Sequence, residues 1–89
     1  MVERMIIIFS KEFKKDFKKL SDKTKTQFQD RLEIFQEDQN NPQLNNHKLH
    51  GKYDGFYSIN VSGNMRAIYE VMSKNKVLFI KIGTHSQLY

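Results

Sequence analysis

The stretch FYSINVSGNMRAIYEVMSKNKVLFIKI, residues 56–82, decides the fold. Much of it alternates between apolar and polar residues, which is typical of strands that bury one face. Turn-forming residues divide it at Ser62–Gly63–Asn64 and at Lys74–Asn75. We therefore expect three consecutive antiparallel strands, over 56–61, 65–72 and 77–82.

The alternation also assigns side chains to the two faces of this sheet, because neighbours along a strand point in opposite directions. The expected core sets are Tyr57, Ile59 and Val61 in the first strand, Met65, Ala67, Tyr69 and Val71 in the second, and Leu78, Ile80 and Ile82 in the third. Phe79 and Lys81 then share the opposite face, and His85 continues their line if the chain stays extended past Gly83. The pattern predicts that one open face gathers Ser58, Asn60, Arg66, Lys81 and His85.

The chain ahead of this stretch predicts one strand and two helices. Residues 2–8 are mostly apolar and β-branched, which favours a first strand. Ser10 is a helix N-cap, followed by an apolar stripe of Phe13, Phe17 and Leu20. Ser21 is the next N-cap, with a stripe of Phe28, Leu32 and Phe35, and the Asn- and Pro-rich residues 38–46 form a loop.

These elements predict an α+β fold of order β-α-α-β-β-β. A helical hairpin would pack on one face of a small, mainly antiparallel, four-stranded sheet. A chain of 89 residues supports one core, so we expect one domain over 1–89. The only strongly apolar run, Met5 to Phe9, is far shorter than a membrane span.

Charge and cysteine content narrow the function classes. Fifteen Lys and Arg against ten Asp and Glu give a net charge of +5, which favours a polyanion such as RNA, or an acidic protein, as a partner. A lysine-rich run over 11–25 is either a solvated helix face or an electrostatic contact with such a partner. The absence of cysteine excludes disulfides and thiolate metal sites, and fits the cytoplasm.

The predicted open face carries groups suited to RNA cleavage. Histidine ionises near neutral pH, so His85 could give or take a proton, while the guanidinium of Arg66 matches phosphate oxygens. Tyr89 and Tyr53 could stack on bases. The alternatives are a surface histidine, an ion pair between Arg66 and Glu70, and tyrosines that only pack.

The spacing of His47 and His50 could hold a metal ion. No acidic cluster surrounds the pair, and we expect neither a metal nor another cofactor.

Two segments resemble the RelE/ParE toxin superfamily: HKLHGKYDGFYSINVSGNMRAIYEV at 47–71 and KVLFIKIGTHSQLY at 76–89. Three motifs carry the resemblance. They are Lys48-Leu49-x-Gly51, the turn and strand with Ser62, Gly63, Arg66 and Tyr69, and the closing IGTHSQLY. That ending is most similar to the YafQ branch of the superfamily.

The resemblance implies the toxin of a type II toxin-antitoxin system, a metal-independent endoribonuclease that cuts translated mRNA on the ribosome. His85, Arg66 and Tyr89 are the implied catalytic residues. The implied RNA-binding residues are Asn60, Ser58, Lys81, His47, Lys48, Lys52 and Tyr53. The implied partners are a cognate antitoxin with an acidic segment, the ribosome with its mRNA, and operator DNA bound through the antitoxin.

The match has departures. Asn60, Asn64 and Met65 stand where the YafQ branch has histidine, aspartate and tryptophan, and Ser58 and Asn60 stand where RelE has lysines. The usual general base is therefore missing. The alternative functions are a ParE-like toxin that acts on DNA gyrase without cutting RNA, and a degenerate relative that only binds its antitoxin.

Overall fold

A five-stranded mixed sheet organises the computed structural model, which describes residues 4–89. Its strands stand in the order β1-β5-β4-β3-β2, with β1 parallel to β5 and the other pairs antiparallel. The elements are β1 (Ile6–Phe9), α1 (Lys11–Lys18), α2 (Asp22–Glu37), β2 (His47–Lys48), β3 (Tyr57–Ser62), β4 (Met65–Ser73), β5 (Lys76–Thr84) and α3 (His85–Leu88), with 3₁₀ turns at Pro42–Leu44 and Gly51–Tyr53.

The predicted α+β fold and helical hairpin are confirmed, whereas the predicted count of four strands is wrong. The additional strand, β2, is only two residues long and pairs with β3. The predicted first strand began at Val2, and Val2 and Glu3 lie outside the described residues.

Both helices of the hairpin begin where the sequence predicts. The hydroxyl of Ser10 accepts a hydrogen bond from the Phe13 amide at 3.0 Å and donates one to the carbonyl of Ile80 at 3.1 Å. Ser21 accepts from the Thr24 amide at 3.1 Å. These caps satisfy amides that have no partner within a helix, and Ser10 also ties α1 to β5. No helix within residues 4–89 combines the length and apolar character needed to cross a membrane.

The main core lies between the hairpin and one face of the sheet. Aromatic rings dominate it: Phe28 and Phe79 meet edge to face with centroids 5.6 Å apart, and Phe35 meets Tyr69 at 5.3 Å. Burying each such side chain contributes about 1.5–3 kcal/mol. The buried members are Phe13, Phe28, Phe35, Leu44, Ile59, Val61, Ala67, Tyr69, Val77, Phe79 and Ile82.

A bulge in β5 changes which of its residues face this core. Tyr69 of β4 lies opposite Phe79 and Ile68 lies opposite Lys81, so Ile80 is an extra residue between the two pairs. Strict alternation placed Leu78, Ile80 and Ile82 in the core and Phe79 outside it. That prediction is wrong for Phe79, which is fully buried in the main core, and for Ile80, which packs with the second cluster. It is also wrong for Leu78, which is only partly buried and belongs to neither cluster, while its neighbour Val77 lies in the main core.

The second sheet face is partly covered rather than open. Leu49, Tyr53, Ile68 and Leu88 form a second buried cluster there, flanked by Phe56 and Ile80. The chain also does not remain extended past Gly83, because β5 ends at Thr84 and α3 begins at His85. The second face therefore has a lid of one short helix and one 3₁₀ turn.

Candidate active site

Helix α3 fixes the end of the chain onto the second sheet face. Thr84 forms a capping box: its hydroxyl accepts from the Gln87 amide at 3.2 Å, and the Gln87 side chain accepts from the Thr84 amide at 2.8 Å. Leu88 is 6% exposed and packs in the cluster that contains Ile68. The capping box at Thr84 and the packing of Leu88 together orient His85, the first residue of the helix.

His85, Tyr89 and Tyr53 form a connected ring cluster. The His85 and Tyr89 rings have centroids 4.8 Å apart, and Tyr53 meets Tyr89 edge to face at 5.8 Å. Tyr53 is buried, while His85 is exposed and Tyr89 is 48% exposed. Lys52 holds its ammonium 5.2 Å from the Tyr53 ring centroid. The cluster thus presents an accessible imidazole beside a phenol and a cation.

Arg66 lies on the same sheet face as this cluster. Its neighbour Ala67 is in the helix-side core, so Arg66 shares the opposite face with Ile68, against which Leu88 packs. Arg66 also pairs in register with Gly83, two residues before His85. The backbone amide of His85 donates to the Asn64 carbonyl at 2.8 Å, which joins α3 to the start of β4.

The guanidinium of Arg66 is held by the turn beside it. Its Nη1 donates to the carbonyls of Gly63 at 2.8 Å and Met65 at 3.0 Å. The alternative ion pair between Arg66 and Glu70 is not found within residues 4–89. Because one nitrogen anchors the group, the remaining donors of the fork stay oriented for an anion.

Ser58 and Asn60 lie on the same face of β3, beneath the cluster. Asn60 pairs in register with Arg66, and Ser58 with Ile68. The Ser58 hydroxyl and the Asn60 Oδ1 are buried and have no hydrogen-bond partner within residues 4–89. Buried polar groups without hydrogen bonds are rare in folded proteins, so these two atoms are an unusual feature of the sheet.

The remaining predicted RNA-binding residues at this edge are exposed. His47 lies opposite Ser58 in the register of β2 and β3, and Lys48 lies opposite Tyr57. The Nδ1 of His47 is 2.7 Å from the Asn45 carbonyl, which only accepts, so Nδ1 carries the proton. In the neutral ring this leaves Nε2 free as an acceptor.

Lys81 does not join the ring cluster. Its ammonium forms an ion pair with Glu12 at the start of α1, and this hydrogen bond raises the pKa of Lys81. Lys81 pairs in register with Ile68 of the second face, whereas the bulge at Ile80 places Phe79 opposite Tyr69 in the main core. The predicted common line of Phe79, Lys81 and His85 is therefore wrong.

Within residues 4–89 there is no grouping of three or more histidine, acidic or cysteine residues that could hold a metal ion. The groups available for chemistry on the second face are an imidazole, a guanidinium, phenols and amides. They can transfer protons and stabilise negative charge.

Sequence reasoning missed α3 and its capping residues, although a signal was present. Thr84-His85-Ser86-Gln87 fits the S/T-x-x-E/Q pattern of a capping box. Extrapolating the β5 alternation past Gly83 obscured it.

Solved toxin structures share this fold. The DinJ-YafQ toxin-antitoxin complex of E. coli matches with a TM-score of 0.77 and 19% identity, over 98% of this chain and 99% of that one. The RelBE2 complex of Mycobacterium tuberculosis matches with a TM-score of 0.75 and 13% identity, over 93% of this chain and 100% of that one. The YoeB/ParE toxin of Agrobacterium tumefaciens matches with a TM-score of 0.74 and 14% identity, over 91% of this chain and 99% of that one. The fold is that of the RelE/YafQ-like toxins.

A family model narrows this class. The model for the bacterial toxin of type II toxin-antitoxin system, YafQ, matches residues 5–89. The chain therefore belongs to the YafQ family of type II toxins. A search of curated protein sequences finds no match.

Proposed function

We propose that this chain is a metal-independent endoribonuclease that cleaves translated mRNA on the ribosome and so inhibits protein synthesis. The observation that carries the proposal is the contact between the exposed rings of His85 and Tyr89, on the sheet face that also holds Arg66. Membership of the YafQ toxin family supports it.

The chemistry is attack of an RNA 2′-hydroxyl on the neighbouring phosphorus. The P–O2′ bond forms, the proton of the 2′-hydroxyl passes to a solvent water, the P–O5′ bond breaks, and the products are a 2′,3′-cyclic phosphate and a 5′-hydroxyl. Protonated His85 donates its proton to the leaving 5′ oxygen. The oriented donors of Arg66 stabilise the charge that develops on the phosphate oxygens. Tyr89 orients the substrate by stacking beside His85.

The surrounding residues form a path for a single strand. Tyr53 supports Tyr89 from below, and Lys52 adds positive charge next to it. His47 and Lys48 are exposed and continue this path toward the sheet edge, whereas Ser58 and the Asn60 Oδ1 are buried beneath it. Lys81 serves only as an outlying cation, since Glu12 already pairs with it.

The proposed partners follow from the family. Solved relatives include the DinJ-YafQ and RelBE2 toxin-antitoxin complexes. By analogy, this chain binds a cognate antitoxin in the cytoplasm, and the complex binds operator DNA through the antitoxin. The net charge of +5 suits both an acidic antitoxin segment and ribosomal RNA.

Primer extension on an mRNA translated in a reconstituted system tests the activity. Wild-type chain should produce cuts within codons, and His85→Ala should reduce the cleavage rate by about 10²- to 10⁴-fold, as expected for loss of a general acid. His50→Ala is the matched control, because His50 is also exposed and its side chain caps nothing. A chelator that removes transition metals but leaves the Mg²⁺ that the ribosome needs should leave the cuts unchanged.

The same experiment separates the alternatives. Intact mRNA together with gyrase-dependent DNA breaks would replace the proposal by a ParE-like activity. Intact mRNA and intact DNA with retained antitoxin binding would indicate a relative that has lost catalysis.

A further inference from the structure

We propose that Arg31, in α2, is a positioning residue for the cleavage reaction, because it holds the turn between β3 and β4 that orients Arg66 and His85. This inference rests on the proposed function, since it assigns Arg31 to that reaction. Helix α2 packs on the helix side of the sheet, opposite the face of the proposed chemistry. Arg31 therefore acts through the backbone of residues 61–65 and not by contact with RNA.

The contact between Arg31 and the sheet falls on a bulge in β3. The register of β3 with β4 shifts between Asn60 and Ser62, so Val61 is an extra residue there. A bulge interrupts the ladder of hydrogen bonds and bends the strand. The Nε of Arg31 donates to the Val61 carbonyl at 3.2 Å, and the Val61 side chain is fully buried in the main core. This hydrogen bond fixes β3 at the point where its pairing shifts.

The turn that follows the bulge holds both groups of the proposed chemistry. The carbonyls of Gly63 and Met65 accept from Nη1 of Arg66 at 2.8 and 3.0 Å. The Asn64 carbonyl between them accepts from the His85 amide at 2.8 Å. Three consecutive carbonyls therefore orient a guanidinium and the start of α3. A shift of the turn displaces both groups, and a displacement of about 1 Å in a site can lower a rate about 100-fold.

The surroundings of Arg31 favour this role over that of a solvated surface cation. Its side chain is partly buried. The ion pair found within residues 4–89 joins Lys81 to Glu12, so Arg31 has no carboxylate partner in that part of the chain. Hydrogen bonds from a charged donor are stronger than those between neutral groups. The backbone carbonyl of Val61 is thus the contact that this guanidinium serves.

Two variants of equal charge separate the hydrogen bond from the positive charge. Arg31→Gln keeps an N–H as many bonds from Cα as the Nε–H of arginine, whereas Arg31→Met places a methyl group there. The measurement is single-turnover cleavage of mRNA on programmed ribosomes over a range of toxin concentrations. Arg31→Met should lower the maximal rate about tenfold or more, with the same half-saturating concentration as Arg31→Gln. Arg31→Gln should retain most of the wild-type maximal rate.

Amide hydrogen exchange gives a second measurement that does not depend on activity. The His85 amide should exchange faster in Arg31→Met than in Arg31→Gln, because its acceptor lies in the turn. The Ser10 amide, which donates to the Phe79 carbonyl at 3.0 Å away from the turn, should be unchanged in both. Ser21→Ala removes the N-cap of α2, so it controls for a general loss of stability and should leave the maximal rate unchanged.

Equal maximal rates in wild type and Arg31→Met would overturn the assignment of Arg31 and leave the proposed function intact. Unchanged exchange of the His85 amide in Arg31→Met would do the same. Equal losses of rate in Arg31→Gln and Arg31→Met would also overturn the assignment, because the charge and not the hydrogen bond would then matter. Absence of cleavage by the wild-type chain, in contrast, would overturn the proposed function and the role of Arg31 in it.

Discussion

At the scale of the residue, the proposed active site combines side chains held by strong local contacts with side chains whose polar atoms have no hydrogen-bond partner within residues 4–89. Arg66 is fixed by two carbonyls of its own turn, and His85 by the helix that it begins. Ser58, in contrast, is fully buried, and its hydroxyl has no hydrogen-bond partner within residues 4–89. Such a group lowers stability, and a protein retains it when another requirement, such as function, outweighs that loss.

Ser58→Ala should therefore stabilise the protein by about 1 kcal/mol, because it removes a buried hydroxyl that has no hydrogen bond to lose. Urea unfolding of wild type and variant measures the change. Ser73→Ala, at an exposed position of β4, is the control and should shift stability by less than about 0.5 kcal/mol. A clear loss of stability in Ser58→Ala would mean that the hydroxyl makes a stabilising hydrogen bond after all.

At the scale of the element, α3 is a helix of four residues that depends on its ends. Isolated helices this short are unstable in water. The capping box at Thr84 and the burial of Leu88 supply the stability that the few hydrogen bonds within α3 cannot. Both ring groups of the proposed chemistry, His85 and Tyr89, are thus positioned by residues that do not touch RNA.

Thr84→Val should loosen α3 while preserving side-chain shape, because it removes the hydroxyl that accepts from Gln87. A lost N-cap costs about 0.5–2 kcal/mol. The Tyr89 amide, which donates to the His85 carbonyl, should then exchange with solvent faster, and cleavage should fall about tenfold. Thr26→Val, at an exposed position within α2, should leave both measurements unchanged. Unaltered exchange at Tyr89 in Thr84→Val would show that the cap does not hold the helix.

At the scale of the whole molecule, the sheet separates the main core from the proposed active site. The helix side holds the main core, and the second face holds the proposed chemistry. Tyr69 joins the main core to the loop ahead of β2, because its hydroxyl donates to the Asn46 side chain at 2.9 Å. Burial raises the pKa of Tyr69 to about 12.

The raised pKa predicts a loss of stability in alkali. Tyr69 keeps its proton in the folded chain up to about pH 12 but would lose it near pH 10 when unfolded. The contribution of protonated Tyr69 to the free energy of unfolding is therefore full below pH 10. It falls by about 2–3 kcal/mol as the pH rises from 10 to 12. Unfolding free energies measured across this range should show the loss in wild type and in Tyr57→Phe, where Tyr69 is retained. Tyr69→Phe should lack this part of the loss, and an unchanged pH profile would contradict the assignment.

The order of the main elements follows from local sequence patterns alone. Ser10 and Ser21 start helices because their hydroxyls accept from amides three residues on, a purely local interaction. The turns after Ser62 and Ser73 likewise follow from local chemistry, and the closing motif of the chain indicated the toxin family. The alternation within β4 also correctly placed Ala67 and Tyr69 on the face of the main core and Ile68 on the opposite face.

How the ends of these elements meet depends on packing between segments that are distant in the chain. The bulge at Ile80 forms between two paired strands and against α1, so alternation within β5 alone could not reveal that Phe79 is buried and that Lys81 reaches Glu12. The turn from β5 into α3 depends on Leu88 finding Ile68, a contact between residues twenty positions apart. Local patterns fix what one segment prefers, whereas the placement of His85 beside the start of β4 required packing between segments.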